Sequence, residues 1–312
     1  MKNLIKPKFW DKKTLSFFSI LLLPLTVITI MIIFFKKFFL KVEKFKIPII
    51  CIGNIYIGGT GKTPTSIFIA NELSSLGLKP VILRKFYQNH SDEYKQIKNN
   101  FGNLIVKKNR TLGIKEAEKR NFKTVILDDG MQDYRIKKNL SIVCFNNSQQ
   151  IGNGFILPSG PLRESLNSIK NIDLAIINGD TDHDFERKIL KINKNIEIYY
   201  SNYKPENINE FKNYKLLALV GIANPENFFM LLKKNNLTIE KKMIYPDHYK
   251  FSKKEIKDII NEAEQKNLKI IMTEKDFFKI NDFGFTELNY LKVSLEIHNK
   301  KRLIERIKKI YD

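Results

Sequence analysis

Residues 58–63, Gly-Gly-Thr-Gly-Lys-Thr, have the make-up of a polyphosphate grip. Gly58, Gly59 and Gly61, with Thr60 between them, free successive backbone N–H groups to turn inward around phosphate oxygens. Lys62 is long enough to reach β and γ oxygens, and the Thr63 hydroxyl is a hard donor suited to Mg²⁺. The run departs from the pattern G-x-x-x-x-G-K-[ST] at one place, where Tyr56 stands for the first glycine. Downstream, the apolar run 124–127 ends in Asp128 and Asp129, the arrangement that holds a metal ion beside bound phosphates. Two acids after a strand also suit a turn or a helix cap. The glycine-rich loop upstream favours the metal reading.

Four weaker signals follow. Residues 152–164, Gly-Asn-Gly-Phe-Ile-Leu-Pro-Ser-Gly-Pro-Leu-Arg-Glu, are dense in glycine and proline and mark a shaped loop. Arg163 and Glu164 at its end could meet phosphate or metal, or form a surface ion pair. In 245–252, His248 beside Asp247 has the chemistry of a proton handler near neutral pH. Residues 272–276, Met-Thr-Glu-Lys-Asp, close a strand with alternating charges, where open α/β sheets bind substrates. Asp92 follows a second core strand, and spacing leaves it between a general base and a helix cap.

These residues need strands and helices to bring them together. Strand signals at 47–52, 80–83, 104–107, 124–127, 140–145 and 173–177 alternate with helical ones at 64–76 and 114–120. Residues 85–101 read as polar and irregular, and 201–215 as a joint. A second unit alternates strands at 216–220, 239–244, 268–272 and 290–295 with helices at 225–235, 253–265 and 301–311. The expected fold class is therefore α/β: a P-loop-like, mostly parallel sheet flanked by helices, a smaller α/β domain, and an N-terminal membrane helix. The corresponding domains are 1–40, 41–212 and 213–312.

The membrane helix is expected from 15–35, about 20 residues without a charge and enough to cross ~30 Å of hydrocarbon. Lysines flank it on both sides, and the residues that follow offer no small-residue cleavage site. A helix lying in one leaflet is the alternative. The formal charge of +21 is spread along the 312 residues with no basic tail, which points to a lipid headgroup surface and away from nucleic acid. Cys51 and Cys144 sit in apolar runs, as buried thiols of a reducing compartment do.

Taken in order, the segments resemble the tetraacyldisaccharide 4′-kinase family, the lipid A 4′-kinases of Gram-negative bacteria. The resemblance rests on G-N-x-x-x-G-G-T-G-K-T-P (53–64), D-D-G-x-Q (128–132), G-N-G-x-x-L-P-x-G-P-L-R-E (152–164), G-I-x-N-P-x-x-F (221–228), P-D-H-x-x-F (246–251) and T-E-K-D (273–276). The family's loop also lacks the first glycine. The resemblance implies transfer of the γ-phosphate of ATP, with Mg²⁺, to the 4′-hydroxyl of an acylated glucosamine disaccharide 1-phosphate. It places the enzyme on the cytoplasmic side of the bacterial inner membrane, and a monomer is expected. By the same resemblance Asp92 and His248 take the hydroxyl proton, Lys62 holds phosphate, and Thr63, Asp128, Asp129 and Glu164 serve the metal. If His248 lies in the second domain, the resemblance puts catalysis in a cleft that closes between domains.

The chain departs from the family in three places. Arg84-Lys85-Phe86-Tyr87 replaces R-G-Y-G, Asp133 replaces a histidine after D-D-G-x-Q, and Tyr249 replaces the second histidine of P-D-H-H. A membrane-tethered ATPase or GTPase with an assembly role is the rival function, and it predicts hydrolysis without lipid.

Overall fold

The structure is a computed structural model describing residues 6–12, 16–88, 90–247 and 249–312. Its strands are β1 (Ile49–Gly53), β2 (Pro80–Lys85), β3 (Leu104–Lys107), β4 (Thr124–Asp128), β5 (Leu140–Asn146), β6 (Leu174–Asn178), β7 (Glu197–Pro205), β8 (Lys215–Val220), β9 (Thr238–Ile244), β10 (Lys269–Thr273), β11 (Asn289–Leu291) and β12 (Val293–Ile297). Its helices are α1 (Phe17–Leu21), α2 (Leu23–Phe39), α3 (Lys62–Ser75), α4 (Ser91–Asn100), α5 (Arg110–Lys119), α6 (His183–Ile192), α7 (Pro225–Lys234), α8 (Lys253–Gln265), α9 (Glu274–Ile280) and α10 (Lys300–Lys308).

The chain divides into two units. The larger holds residues 6–86, 101–202 and 297–312, and the smaller holds 87–100 and 203–296. This division differs from the expected boundaries, since residues 6–40 join the larger unit and 203–212 the smaller. The segment carrying Asp92 leaves the larger unit for the smaller, and the C-terminal helix returns to the larger. The segment 85–101, expected to be irregular, contains α4. Only Asp92 and Ile97 of that helix are buried, so it offers no apolar period to read.

In the larger unit, seven strands run in the order β7-β6-β5-β1-β4-β2-β3, and every pair is parallel. β1, β4, β5 and β6 are buried along their whole length, as strands covered on both faces must be. Their side chains build two cores, one around Val143, Phe145 and Phe185, the other around Val81, Leu83 and Ile114. The alternation also continues through α6 and β7, which the sequence reading passed over. Asp182 caps α6 by accepting from the Phe185 N–H, and Phe185 and Ile189 are its buried face. Parallel order brings the C-terminal ends of β1, β4 and β2 side by side, with Ile52 and Arg84 both in register with Asp128.

The N-terminal apolar segment is two helices, with a break at Leu22. The break falls where Pro24 removes the amide that would have bonded the Ile20 carbonyl. α2 has 17 residues, a length of roughly 26 Å at 1.5 Å per residue. Among the described residues no helix is long and apolar enough to cross a membrane, so the spanning form of the expected membrane helix is not supported. The polarity of α1 and α2 is inverted relative to a water-facing helix. Their buried residues are Ser19 and Thr26, while Phe17, Phe18, Leu21, Leu25, Ile28, Met31, Phe34, Phe35 and Phe38 are exposed. Thr26 accepts from the Ser159 N–H at 3.2 Å and bonds the Ser159 hydroxyl at 2.8 Å, and Asn153 Nδ2 donates to Ser19 Oγ at 3.1 Å. The glycine-rich loop at 152–164 is therefore the seat on which these helices rest.

The smaller unit has a parallel sheet of order β11-β10-β8-β9, with cores around Leu217, Ile256 and Met272 and around Leu216, Phe228 and Leu232. α4 is pinned to α9, because Gln96 and Asn100 each donate at 3.1 Å to the Glu274 carboxylate.

Candidate active site

The glycine-rich loop leaves β1 and enters α3 with Gly58 at φ 115° and Gly61 at φ 88°, left-handed conformations that an L side chain adopts only under strain. Asn54, fully buried, ties the loop together by donating to Thr60 Oγ1 at 2.9 Å and to the Gly58 carbonyl at 3.3 Å. Lys62 and Thr63 are the first residues of the helix, at its positive dipole end. Tyr56, in place of the missing glycine, is buried, and its phenol donates to Asp11 Oδ1 at 2.8 Å.

The two aspartates after β4 divide their work. Asp128 is fully buried and faces α3, accepting from Thr63 Oγ1 at 2.9 Å and from Ser66 Oγ at 3.3 Å. The Arg84 guanidinium pairs with the same carboxylate and donates to Thr63 Oγ1 at 2.9 Å. Asp129 turns off the strand at φ 57° and meets Lys62 Nζ at 3.7 Å and Arg163 at 2.8 Å. Burial pushes the Asp129 carboxyl up, but Lys62, Arg163 and Arg84 outweigh it and hold it at about 2. Burial draws the Lys62 ammonium down, opposed by Asp129.

The loop at 152–164 is stitched to the strand exit by backbone bonds, Ile57 N–H to Pro161 at 2.9 Å and Arg163 N–H to Ile55 at 2.7 Å. This pairing sets Arg163 beside Asp129 and Glu164 next to Gln132, whose Nε2 donates to Glu164 Oε1 at 3.1 Å. Glu164 Oε2 also takes Lys37 Nζ at 2.6 Å. The structure thus gathers Lys62, Thr63, Asp128, Asp129, Arg163 and Glu164 around one helix N-terminus. Asp133 pairs with Arg135 at 3.1 Å and lies 3.7 Å from Arg110, which also donates to the Asp129 carbonyl at 2.6 Å. Cys51 and Cys144 are buried free thiols, and burial pushes Cys144 up to about 12.

Asp92 belongs to the smaller unit, in the first turn of α4, and is 2% exposed. Lys275 gathers three carboxylates there: Asp247 at 3.0 Å, Glu93 at 3.4 Å and Asp92 at 3.9 Å. Burial lowers the Lys275 ammonium, but the three acids outweigh it and hold it above the usual lysine range. In the T-E-K-D run the neighbours are structural. Thr273 caps α9 by accepting from the Asp276 N–H at 3.2 Å, and Asp276 accepts from the Gly221 N–H at 2.9 Å. His248 lies outside the described residues. Sequence reasoning missed Arg84, Ser66, Gln132 and Lys37 as site residues. Arg84 carried a signal, a charge ending the buried strand β2, and Ser66 lies one helical turn from Thr63.

These contacts assemble a phosphate loop, a paired carboxylate and a helix-seating loop from segments 53–64, 128–132 and 152–164. A family model described as Tetraacyldisaccharide-1-P 4'-kinase matches residues 17–312. The chain belongs to the tetraacyldisaccharide 4′-kinase family. A tetraacyldisaccharide 4′-kinase of Pelagibacter ubique is 43% identical over 311 residues, covering 99% of this chain and 98% of the relative. One from Francisella novicida is 30% identical over 325 residues, covering 93% and 99%. The crystal structure of LpxK from Aquifex aeolicus in complex with ATP has a TM-score of 0.73 at 21% identity, covering 94% of this chain and 99% of that one. In this tetraacyldisaccharide 4′-kinase family member, the α/β fold with mostly parallel sheets is shared with that structure.

Acid titration tests the pairing of Asp129. Its carboxyl falls from an ordinary 3.8 to about 2 on folding. The stabilisation is fully present above pH 3.8 and is lost as pH falls through about 2. At 1.36 kcal/mol per unit it amounts to roughly 2–3 kcal/mol. Urea unfolding between pH 5 and 2 should show Asp129→Asn with a flatter loss of stability than wild type across that window. Parallel curves would show that Asp129 is not held by Lys62 and Arg163.

Proposed function

We propose that the chain moves the γ-phosphate of ATP, with Mg²⁺, to the 4′-hydroxyl of an acylated glucosamine disaccharide 1-phosphate at the cytoplasmic face of the bacterial inner membrane. One observation carries the reading: a loop with two left-handed glycines opens into α3, where Thr63 bonds Asp128 and Lys62 faces Asp129 as an ion pair at 3.7 Å.

Phosphoryl transfer asks for alignment and neutralised charge more than covalent chemistry. Loop amides 58–63 cradle the triphosphate, and Lys62 reaches its β and γ oxygens. Asp129 holds Lys62 and Arg163 in place until phosphate arrives. The Thr63 hydroxyl, with Asp128 behind it, offers the hard oxygens Mg²⁺ prefers. No group of three His, Cys, Asp or Glu side chains among the described residues could cage a metal. Bound Mg²⁺ would neutralise charge developing on the β and γ oxygens. Glu164, whose oxygens take Lys37 and Gln132, would be a further carboxylate close to the metal. Asp92, with His248, accepts the proton of the attacking hydroxyl, while Lys275 keeps the surrounding acids compensated.

The apolar faces of α1 and α2 suit a helix pair lying in the headgroup region, seated on the loop at 152–164 by Ser19 and Thr26. Lysines before and after the pair would meet anionic headgroups. A multiply acylated acceptor stays in the bilayer, so an enzyme docked at its surface meets the sugar without extracting it.

The test incubates the detergent-solubilised chain with labelled ATP, Mg²⁺ and the acylated disaccharide. Label should pass to lipid, with little turnover in its absence. Lipid-independent hydrolysis with no labelled lipid would favour an ATPase. The membrane part is tested separately, by flotation with vesicles containing anionic lipid. Leu25→Glu, Ile28→Glu and Phe35→Glu together should move most of the protein from the floating to the soluble fraction. Undiminished flotation would assign binding to another surface.

A further inference from the structure

We propose that Lys37, in the last turn of α2, is a positioning residue for phosphoryl transfer. Its ammonium fixes the buried Glu164 carboxylate, and through Gln132 and Arg163 it sets where Asp129 and Lys62 stand. The proposal deepens the kinase reading and, for its effect on turnover, rests on it.

The contacts form an unbroken run of donors and acceptors. Lys37 Nζ donates to Glu164 Oε2 at 2.6 Å. Glu164 Oε1 accepts from Gln132 Nε2 at 3.1 Å, and the same amide nitrogen donates to the Asn54 carbonyl, at the start of the phosphate loop, at 2.9 Å. Gln132 Oε1 then accepts from Arg163 at 3.3 Å, Arg163 donates to Asp129 Oδ1 at 2.8 Å, and Lys62 lies 3.7 Å from that oxygen. An amide has a donor end and an acceptor end, so a carboxylate at Glu164 decides which way Gln132 faces. Reversed, Gln132 would set its NH₂ against Arg163 and its oxygen against two acceptors.

Glu164 is 3% exposed, and a carboxylate is costly to bury without a counter-charge. Lys37 supplies it, with its ammonium also 4.9 Å from the Tyr134 ring centroid. The cation comes from the apolar N-terminal helix. Seating α2 on the body of the unit therefore delivers a charge to the phosphate site, and a helix lifted away would take it back. Membrane docking and catalytic register share one side chain.

The test compares Lys37→Met, which keeps the stem and drops the charge, with Lys37→Arg, in the full chain in detergent. Supporting partners around a metal or phosphate site typically contribute about 10–100-fold, and losses of that size are expected in kcat and in Mg·ATP affinity measured by calorimetry without acceptor. Lys37→Arg should restore most of both, and the KM for lipid should hold. In a Glu164→Gln background Lys37→Met should add little, since residues acting through one another are not additive. Wild-type kcat and Mg·ATP affinity in Lys37→Met overturn the proposal, and so do losses that multiply with those of Glu164→Gln. Melting temperature separates these outcomes from a misfolded variant, and Lys37→Arg supplies the folded counterpart. Should wild type bind Mg·ATP yet leave the acceptor unlabelled, the kinase reading fails, while the affinity arm still decides the role of Lys37.

Discussion

Lys62→Ala should lower kcat for phosphate transfer by about 10³-fold, at the upper end of what one preorganised donor in a water-poor site contributes. Lys62 is nearly buried, with 12% of its side chain exposed, and Asp129 holds it at the mouth of the loop. A cation so placed acts on the oxygens where charge accumulates during transfer, and little water is there to screen it. Its removal has a second cost. Asp129 keeps its charge, being held at about 2 by Arg163 and Arg84 as well as Lys62. The variant would therefore face an incoming triphosphate with a carboxylate less compensated than before. Lys62→Arg should not rescue, because a planar guanidinium cannot replace a point charge at the first residue of a helix. Melting temperature should fall only modestly, since Arg163 and Arg84 still face Asp129 and alanine is a good helix former. Initial-rate kinetics over a range of ATP concentrations check the prediction, and a kcat within about tenfold of wild type, less than one such donor supplies, would remove Lys62 from the phosphate grip.

Much of this site could be read from residue order because its parts obey local rules. A strand, a glycine loop and a helix start are written contiguously at 49–75, and β4 announces Asp128 and Asp129 by ending on them. What stayed hidden depended on partners distant in sequence. Arg84 becomes a site residue only because β2 lies beside β4 and puts it in register with Asp128, and strand order is not a local property. Lys37 looks like one of many lysines until Glu164, 127 residues later, is found against it. α4 escaped notice for another reason. Its stability comes from Glu274 and from burial of Ile97 in the smaller unit, so its own sequence is almost wholly polar. The apolar N-terminal run hid its packing in a third way. Length and hydropathy register a span, but Pro24 and the two buried hydroxyls, Ser19 and Thr26, mark a broken helix pair resting on protein. Inverted polarity of that kind is visible only once the packed face is known.

Asp92→Asn should lower kcat by about 10²–10⁴-fold, the range that a positioned general base contributes. The substitution keeps shape and removes the ability to take a proton. Asp92 is set for that role by its surroundings: it is buried in the first turn of α4, where the helix dipole favours an anion, and Lys275 compensates it together with Glu93 and Asp247. Because the residue acts on the acceptor, Mg·ATP affinity should be unchanged in Asp92→Asn, in contrast to the Lys37 and Lys62 variants. A merely structural Asp92 predicts the opposite pattern. Asparagine would then keep most of the activity, and any loss would follow melting temperature, because α4 is also anchored through Gln96 and Asn100 to Glu274. Rapid-quench measurement of a single turnover separates the chemical step from product release. A wild-type single-turnover rate in Asp92→Asn would exclude Asp92 as the base and leave the proton to another group.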